Sequence, residues 1–179
     1  MSKIIVNLAK AAALLAGVPA VALFAYDMIA VRPHLAQIES VLAQANPQDA
    51  SPPEIIRDLI DANVGSPTPH ATRLVTSLVY SGLSQGQWHV RNALWGVLLP
   101  MHFDKSQMYG FYSVLSYNGI DHGLSNFARR EYGKSLGQLS PVQAATVVAI
   151  THAPTAYLRD RSRLDRRAKV LLETSQHAP

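Results

Sequence analysis

The chain of 179 residues lacks cysteine altogether, which excludes disulfide bonds and thiol chemistry. A cysteine-free chain suits an oxidising or a reducing compartment equally, so this absence does not locate the protein. Charged residues are also scarce, at 16%, whereas hydrophobic residues make up 48%. Because charged residues make up about 25% of an average soluble domain, the chain is unusually apolar for a soluble protein.

The sequence also lacks the common signatures of enzyme and metal sites. It has no Ser-His-Asp ordering, no H-E-x-x-H motif, no glycine-rich phosphate loop and no cluster with the spacing of metal ligands. We therefore predict neither a metal site nor a cofactor. The length allows one domain with a substantial hydrophobic core, and the formal net charge is +4.

One long apolar run lies near the N-terminus. Two lysines precede residues 11–26, which carry no charge, and apolar residues resume at 28–31. Since a bilayer is crossed by about 20 apolar residues, we predict a membrane anchor or signal segment over residues 1–32. The lysines favour a cytoplasmic N-terminus and an exported body. The alternatives are a cleaved signal peptide, with residues 20–22 as its small-x-small site, and a buried helix of a soluble domain.

The rest of the chain divides at a loop rich in turn-forming residues. Residues 33–52 turn polar and end in NPQDASPP, so we predict a juxtamembrane stalk or linker there. An apolar helical face at 55–60 then indicates the start of a packed body over 53–179. Apolar residues at helical spacing predict further helices over 88–100 and 106–115. These patterns together predict a mainly α fold.

The most informative segment runs from His122 to Leu172. Residues 123–134 predict a helix that ends at Tyr-Gly-Lys. A Ser-Pro start predicts an apolar helix over 139–150. An Ala-Pro pair ends that helix, and a basic helix follows from about Arg163.

This ordered set resembles the family 51 glycosyltransferases, which form the peptidoglycan glycosyltransferase domain of bifunctional penicillin-binding proteins and of monofunctional transglycosylases. The corresponding run in that family is roughly G-x-x-x-x-A-x-x-Y-F-G-K-S, L-T/S-x-x-E-A-A, A-P-x-x-Y and R-R-x-x-V-L. The resemblance implies a single lysozyme-like helical domain on an N-terminal transmembrane helix. The matching residues, in the same order and without a gap, are Gly123, Ala128, Arg129, Arg130, Tyr132, Gly133, Lys134, Ser135, Leu139, Ser140, Ala144, Ala145, Ala153, Pro154, Tyr157, Arg166, Arg167, Val170 and Leu171.

The resemblance also places the family's catalytic positions on this chain. Aligned on the helix that opens the body, the glutamate of the first motif, E-D-x-x-F-x-x-H-x-G, falls on Asn63 and its histidine on His70. The second important glutamate, in R-K-x-x-E-x-x-x-A, falls on Asn92. The family's second motif, G-G-S-T-I-T-Q-Q, is not found in this sequence.

Both glutamate positions thus carry an amide. In the family the first glutamate takes the proton from the attacking sugar hydroxyl, and an amide has no basicity at neutral pH. Loss of a general base typically removes ~10²–10⁴ of the rate. The resemblance therefore implies a pseudoenzyme without competent polymerase activity. Among the remaining carboxylates, we expect Asp61 to point away from Asn63 on its helix, and Asp121 to cap the helix that begins near Gly123.

Positive charge is concentrated in the matched segment, where nine Lys/Arg and three Asp/Glu lie between Arg129 and Lys169. By resemblance, these cations bind a diphosphate or anionic lipid headgroups. A solvated basic surface over 159–169 is one alternative, and a role of the arginine pair at 166–167 in bracing the fold is another. The residues predicted to bind substrate are His70, Arg129, Arg130, Lys134, Arg166 and Arg167.

These expectations combine into one functional prediction. The protein is expected to be a single-pass protein of the bacterial inner membrane with a periplasmic body. We predict that it binds the lipid-linked disaccharide-peptide precursor or a glycan strand, or docks onto a cell-wall synthesis enzyme, without polymerising glycan. The alternatives are an active transglycosylase with its motifs in another register, and a basic membrane-surface protein with no glycan ligand. The resemblance alone implies a divalent metal, and no nucleic-acid partner is expected beside a membrane segment.

Overall fold

The computed structural model describes residues 17–177, and these residues form helices joined by short connections, with no β-strand among them. This confirms the predicted mainly α fold. In chain order the helices are α1 Leu35–Ala43, α2 Pro47–Ala50, α3 Glu54–Val64, α4 Pro67–Val79, α5 Gln85–His102, α6 Lys105–Leu115, α7 Leu124–Tyr132, α8 Pro141–Ala149, α9 Pro154–Arg159 and α10 Arg161–Gln176, with 3-10 turns at Leu136–Gln138 and Ile150–His152.

The described residues divide between Ala36 and Gln37 into two compact units. In the N-terminal unit, residues 17–26 are helical and continue as a π-helix over Asp27–Val31 and a 3-10 turn over Arg32–His34. The buried carboxylate of Asp27 accepts a hydrogen bond of 2.9 Å from Arg32 Nε. Within residues 17–177 no helix is both long enough and apolar enough to cross a membrane. Residues 1–16, which include the start of the predicted anchor, lie outside the described residues.

The core of the second unit is organised around α8. This helix is apolar on nearly every side, and all residues from Ala144 to Ile150 are buried. It packs against α3 through Ile56, Leu59 and Ile60, and against α10 through Leu164 and Leu171. Each of these side chains contributes about 1.5–3 kcal/mol on burial.

Two helices predicted from the matched segment have their capping residues in place, at the C-terminus of α7 and at the N-terminus of α8. Gly133 adopts φ 66° at the C-cap of α7, the left-handed conformation that glycine takes without strain. Ser140 caps α8 by accepting from Gln143 N at 3.4 Å, and the Gln143 side chain accepts in return from Ser140 N at 3.0 Å. These bounds confirm both predicted helices.

The stretch predicted as a linker contains a short helix with a buried aspartate. Asp49 in α2 is 5% exposed, and its carboxylate accepts from Ser113 Oγ at 2.6 Å and from Ser125 N at 3.1 Å. Burial raises the pKa of Asp49, and these two hydrogen bonds oppose that rise. Gly110 allows α2 to approach α6 closely, since a Cβ atom there would lie 2.4 Å from Ala50 O. Residues 47–50 are therefore packed against the body, and the boundary predicted at 53 falls inside a packed region.

The loop between α6 and α7 is held by a buried asparagine. Asn118 Oδ1 accepts from Asp121 N at 3.2 Å and from Arg130 Nη2 at 2.9 Å, while its Nδ2 donates to Asp121 and to Gly123 O. Asp121 also pairs with Arg130 at 3.1 Å. The prediction that Asp121 caps α7 is therefore wrong, because its carboxylate is used inside the loop and the N-cap residue of α7 is Gly123, which has no side chain.

Candidate functional site

A cleft of about 310 Å³ opens where the end of α3, the start of α4, α6 and the connection after α8 come together. The chain turns sharply at Gly65, which ends α3 with φ 77°, and α4 begins two residues later at Pro67. This tight connection brings Asn63, in the last turn of α3, and His70, in the first turns of α4, to the same cleft. Two residues that were predicted from one motif thus share one site.

The amide of Asn63 is fixed by partners on three other elements. Its Oδ1 accepts from Arg167 Nη2 at 2.7 Å, and its Nδ2 donates to the Tyr112 hydroxyl at 3.3 Å and to Thr151 Oγ1 at 3.5 Å. Thr151 Oγ1 donates to Val148 O at 2.8 Å, so the Tyr112 hydroxyl, 2.8 Å away, must donate to Thr151. The chain of donors therefore runs in one direction, from Arg167 through Asn63 and Tyr112 to Thr151.

This arrangement decides what the side chain at position 63 does. Both ends of the amide have partners, the oxygen on a cation and the nitrogen on a hydroxyl, which fixes its orientation. A group in this state can form further hydrogen bonds, and it takes no proton at neutral pH.

The charged groups that line the cleft are cationic or titrate to cations. Arg73 and His152 contribute to its walls together with His70, and none of the described residues that line it is an aspartate or a glutamate. Burial lowers the pKa of His70, and the positive charge of Arg73 lowers it further, against a smaller opposing effect of the Ser66 backbone. His70 is therefore neutral at pH 7, and Arg73 supplies a permanent positive charge.

Asn92, the second position that the resemblance equates with a glutamate, lies elsewhere. It is in α5, it is not among the residues that line the cleft, and its Oδ1 is buried without a hydrogen bond within the described part of the chain. The structure therefore does not bring Asn63 and Asn92 to one groove.

The predicted substrate-binding cations divide into three groups. Arg167 contacts the cleft through Asn63. Arg130 is held in the loop by Asn118 and Asp121, and Lys134 Nζ donates to Gln143 Oε1 at 3.0 Å.

The other two predicted cations are exposed. Arg129 lies on the surface of α7, and Arg166 donates to Ser162 Oγ at 3.2 Å on the surface of α10. The neighbouring arginines of α10 therefore differ: Arg167 points to the cleft and Arg166 does not.

Carboxylates nearby lie outside the cleft. Asp61 lines a separate depression with Lys105 and Tyr109, where its Oδ2 accepts from Tyr109 Oη at 2.5 Å and lies 3.5 Å from Lys105 Nζ. This agrees with the expected divergence of Asp61 from Asn63. Across residues 17–177 no group of three or more His, Cys, Asp or Glu residues is placed to hold a metal ion.

Sequence reasoning did not single out Arg73 or His152 as site residues. Arg73 lies three residues after His70 on the same helix, so helical spacing alone could have placed it on the same face. His152 directly precedes the Ala-Pro pair of the matched segment, but nothing in its local sequence indicates a cleft.

Comparison of the chain with models of protein families, with curated proteins and with solved structures finds no match.

Proposed function

We propose that this protein is a non-catalytic relative of the family 51 glycosyltransferases that binds a lipid-linked glycan precursor with its cleft. The observation that carries the proposal is the state of Asn63. An amide occupies the position that the resemblance assigns to the general base, and Arg167 and Tyr112 hold it in a fixed orientation at the cleft. Such a group supports recognition of a sugar hydroxyl and cannot deprotonate it.

The composition of the cleft supports a ligand that is both hydroxylated and anionic. Its walls combine an amide, the hydroxyls of Tyr117 and Thr151, and cationic groups, which suit sugar hydroxyls and phosphate oxygens respectively. Small-molecule pockets span ~300–1,000 Å³, so a cleft of about 310 Å³ lies at the small end of that range and takes only part of the precursor. The remainder of a disaccharide-peptide precursor would therefore lie outside it.

The membrane location belongs to the same proposal. The described part of the predicted anchor carries exposed apolar side chains, including Val21 at 69% and Ile29 at 77% exposure. We place the N-terminal segment in the bacterial inner membrane and the second unit in the periplasm, where a lipid-linked precursor is presented. Docking onto a cell-wall synthesis enzyme stays a prediction.

The alternative of an active transferase needs a base in the cleft. Two acids were considered for that role. Asp61 is bound to Tyr109 and Lys105. Asp121 is bound to Asn118 and Arg130. The basic groups that do line the cleft are His70 and His152. An active transferase would therefore have to use His70 or His152 as its base, and its activity should be lost when that histidine is replaced.

The experiment measures binding and turnover on the full chain in nanodiscs. Labelled lipid-linked disaccharide-peptide is titrated, and products are separated on a gel. We expect saturable binding and no glycan polymer. Arg167→Gln should weaken binding, because the replacement removes the charge next to Asn63. Arg166→Gln is the matched control, since it makes the same charge change one residue away on the exposed face.

Equal binding by the two variants would show that the precursor does not bind in the cleft. Polymer formed by the wild-type chain and lost in His70→Gln or His152→Gln would overturn the non-catalytic assignment.

A further inference from the structure

The walls of the cleft carry positive charge, and none of the described residues that line it is an acid that could neutralise this charge. Arg73 is permanently charged, His70 becomes charged on protonation, and Arg167 is held one hydrogen bond away through Asn63. The described lining residues offer no carboxylate counter-ion to any of them. A concave site lined by one sign of charge concentrates ligands of the opposite sign.

His70 is the histidine of the cleft that lies close to a permanent positive charge. Arg73 lies one helical turn further along α4, and Tyr112 of α6 presents its ring edge at a centroid distance of 6.4 Å. Tyr117 follows α6, and His152 lies on the connection after α8. The groups that face His70 from these elements are therefore cationic or neutral, and a proton added to its ring finds no anion within the cleft.

We propose that the cleft captures a phosphate or diphosphate group together with a proton, with Arg73 supplying fixed charge and His70 taking up the proton as the oxyanion enters. The oxyanion provides the counter-ion that His70 lacks. Binding of the anion and binding of the proton then favour each other, as linkage requires. Affinity should rise as the pH falls through the range in which His70 titrates, and level off above it.

This inference deepens the proposed function by naming the part of the ligand that enters the cleft, and it rests on that function only for the identity of the natural ligand. The diphosphate of a lipid-linked precursor and a free phosphate ester present the same oxygens. The experiment therefore separates the chemistry of the cleft from the source of the anion.

Sulfate is the probe for the first arm, because it resembles phosphate and keeps one charge state between pH 5.5 and 8. The full chain in detergent micelles is titrated with sulfate by calorimetry, and the histidine ring protons are followed by NMR. We expect sulfate to bind about tenfold more tightly at pH 5.5 than at pH 7.5. We also expect saturating sulfate to move the titration of His70 to higher pH.

Variants assign the effect to residues. His70→Gln should abolish the increase on acidification, and Arg73→Gln should weaken sulfate binding at every pH. His152→Gln should leave the pH dependence in place, and Arg129→Gln, on the surface of α7, is the control for loss of one charge elsewhere. Sulfate binding that is independent of pH, or a pH dependence that survives His70→Gln, would overturn the proposal.

The second arm repeats the titration with the lipid-linked precursor. Precursor binding that is saturable but independent of pH keeps the proposed function and overturns proton-coupled capture. If sulfate binding depends on His70 but the precursor does not bind, the capture mechanism is supported and the proposed ligand is wrong.

Discussion

Two polar side chains of α3, Asp61 and Asn63, lie two positions apart and face different pockets. Asp61 meets Tyr109 and Lys105 in an open depression, whereas Asn63 meets Arg167, Tyr112 and Thr151 at the cleft. Each residue of an α-helix turns by about 100°, so two positions place these side chains on nearly opposite faces. A carboxylate therefore lies only two residues from Asn63, but its side chain faces away from the cleft.

The two faces also differ in what their hydrogen bonds can do. On the Asp61 side, a carboxylate that is about one third exposed is paired with an exposed lysine, so solvent screens the interaction. On the Asn63 side, the partners are buried or half-buried and the donors run in one direction. We therefore expect changes at Asn63 to affect ligand binding and changes at Asp61 to affect stability slightly.

The largest expected effect comes from moving the acid into the cleft. Asn63→Asp places a carboxylate beside Arg167, neutralises that arginine and repels an anion near Arg73. Sulfate affinity at pH 6 should fall about tenfold or more, since two charges several ångströms apart at a partly buried site interact by about 2–4 kcal/mol. Calorimetry checks this, with Asp61→Asn as the matched control. An unchanged affinity in Asn63→Asp would show that the anion binds elsewhere.

Breaking the donor chain should have the next largest effect. Tyr112→Phe removes the hydroxyl that accepts from Asn63 and donates to Thr151, and Tyr112 itself is only 3% exposed. An unsatisfied buried polar group costs about 1–3 kcal/mol, so the free energy of unfolding should fall by about that amount. Urea denaturation measures it. Tyr117→Phe, in which the lost hydroxyl is exposed and bound to Gly119 O, is the control and should change stability much less.

A smaller effect should appear as a dependence of stability on pH. Burial and Arg73 lower the pKa of His70 below its usual value of 6.5, so the fold favours the neutral ring. The unfolded chain then binds more protons than the folded chain as the pH drops below 6.5, and the free energy of unfolding should fall over that range. The test is the difference between wild type and His70→Gln in urea melts from pH 7.5 to 5. A difference that does not change with pH would contradict the lowered pKa.

The smallest effect is expected on the other face of α3. Asp61→Ala and Tyr109→Phe each remove the hydrogen bond between these two side chains. Because the Asp61 carboxylate is partly exposed, we expect about 1 kcal/mol or less from either change. A double-mutant cycle measures the coupling directly. A coupling as large as that of a buried pair would mean that the depression is shielded from water, which would contradict the partial exposure of Asp61.

Features of the fold and the site that depend on residues close together in sequence could be predicted, whereas contacts between distant residues could not. Helix ends followed from local capping residues such as Gly133 and Ser140, and the divergence of Asp61 and Asn63 followed from the helical period. The spacing of one motif named both Asn63 and His70, and the structure brings the two to one cleft. Each of these depends on residues that are neighbours in sequence.

The contacts that could not be predicted join distant residues. Arg167 and Asn63 are 104 positions apart, and Asp49 and Ser125 are 76 apart. The local sequence around Asp49, rich in proline and polar residues, is typical of a loop, and the contacts that bury its carboxylate come from α6 and α7. Arg167 is different, because it fits at i+3 into the buried stripe of Leu164, Ala168 and Leu171, so helical spacing could have distinguished it from Arg166.

The most direct test of the account is a crystal structure of the full chain bound to a short-chain lipid-linked precursor. We expect phosphate oxygens within hydrogen-bonding distance of Arg73 and His70, and a sugar hydroxyl hydrogen-bonded to Asn63. The bond between the sugar and the diphosphate should be intact. Density for the precursor in the depression formed by Asp61, Lys105 and Tyr109, or on the exposed face of Arg166, would contradict it.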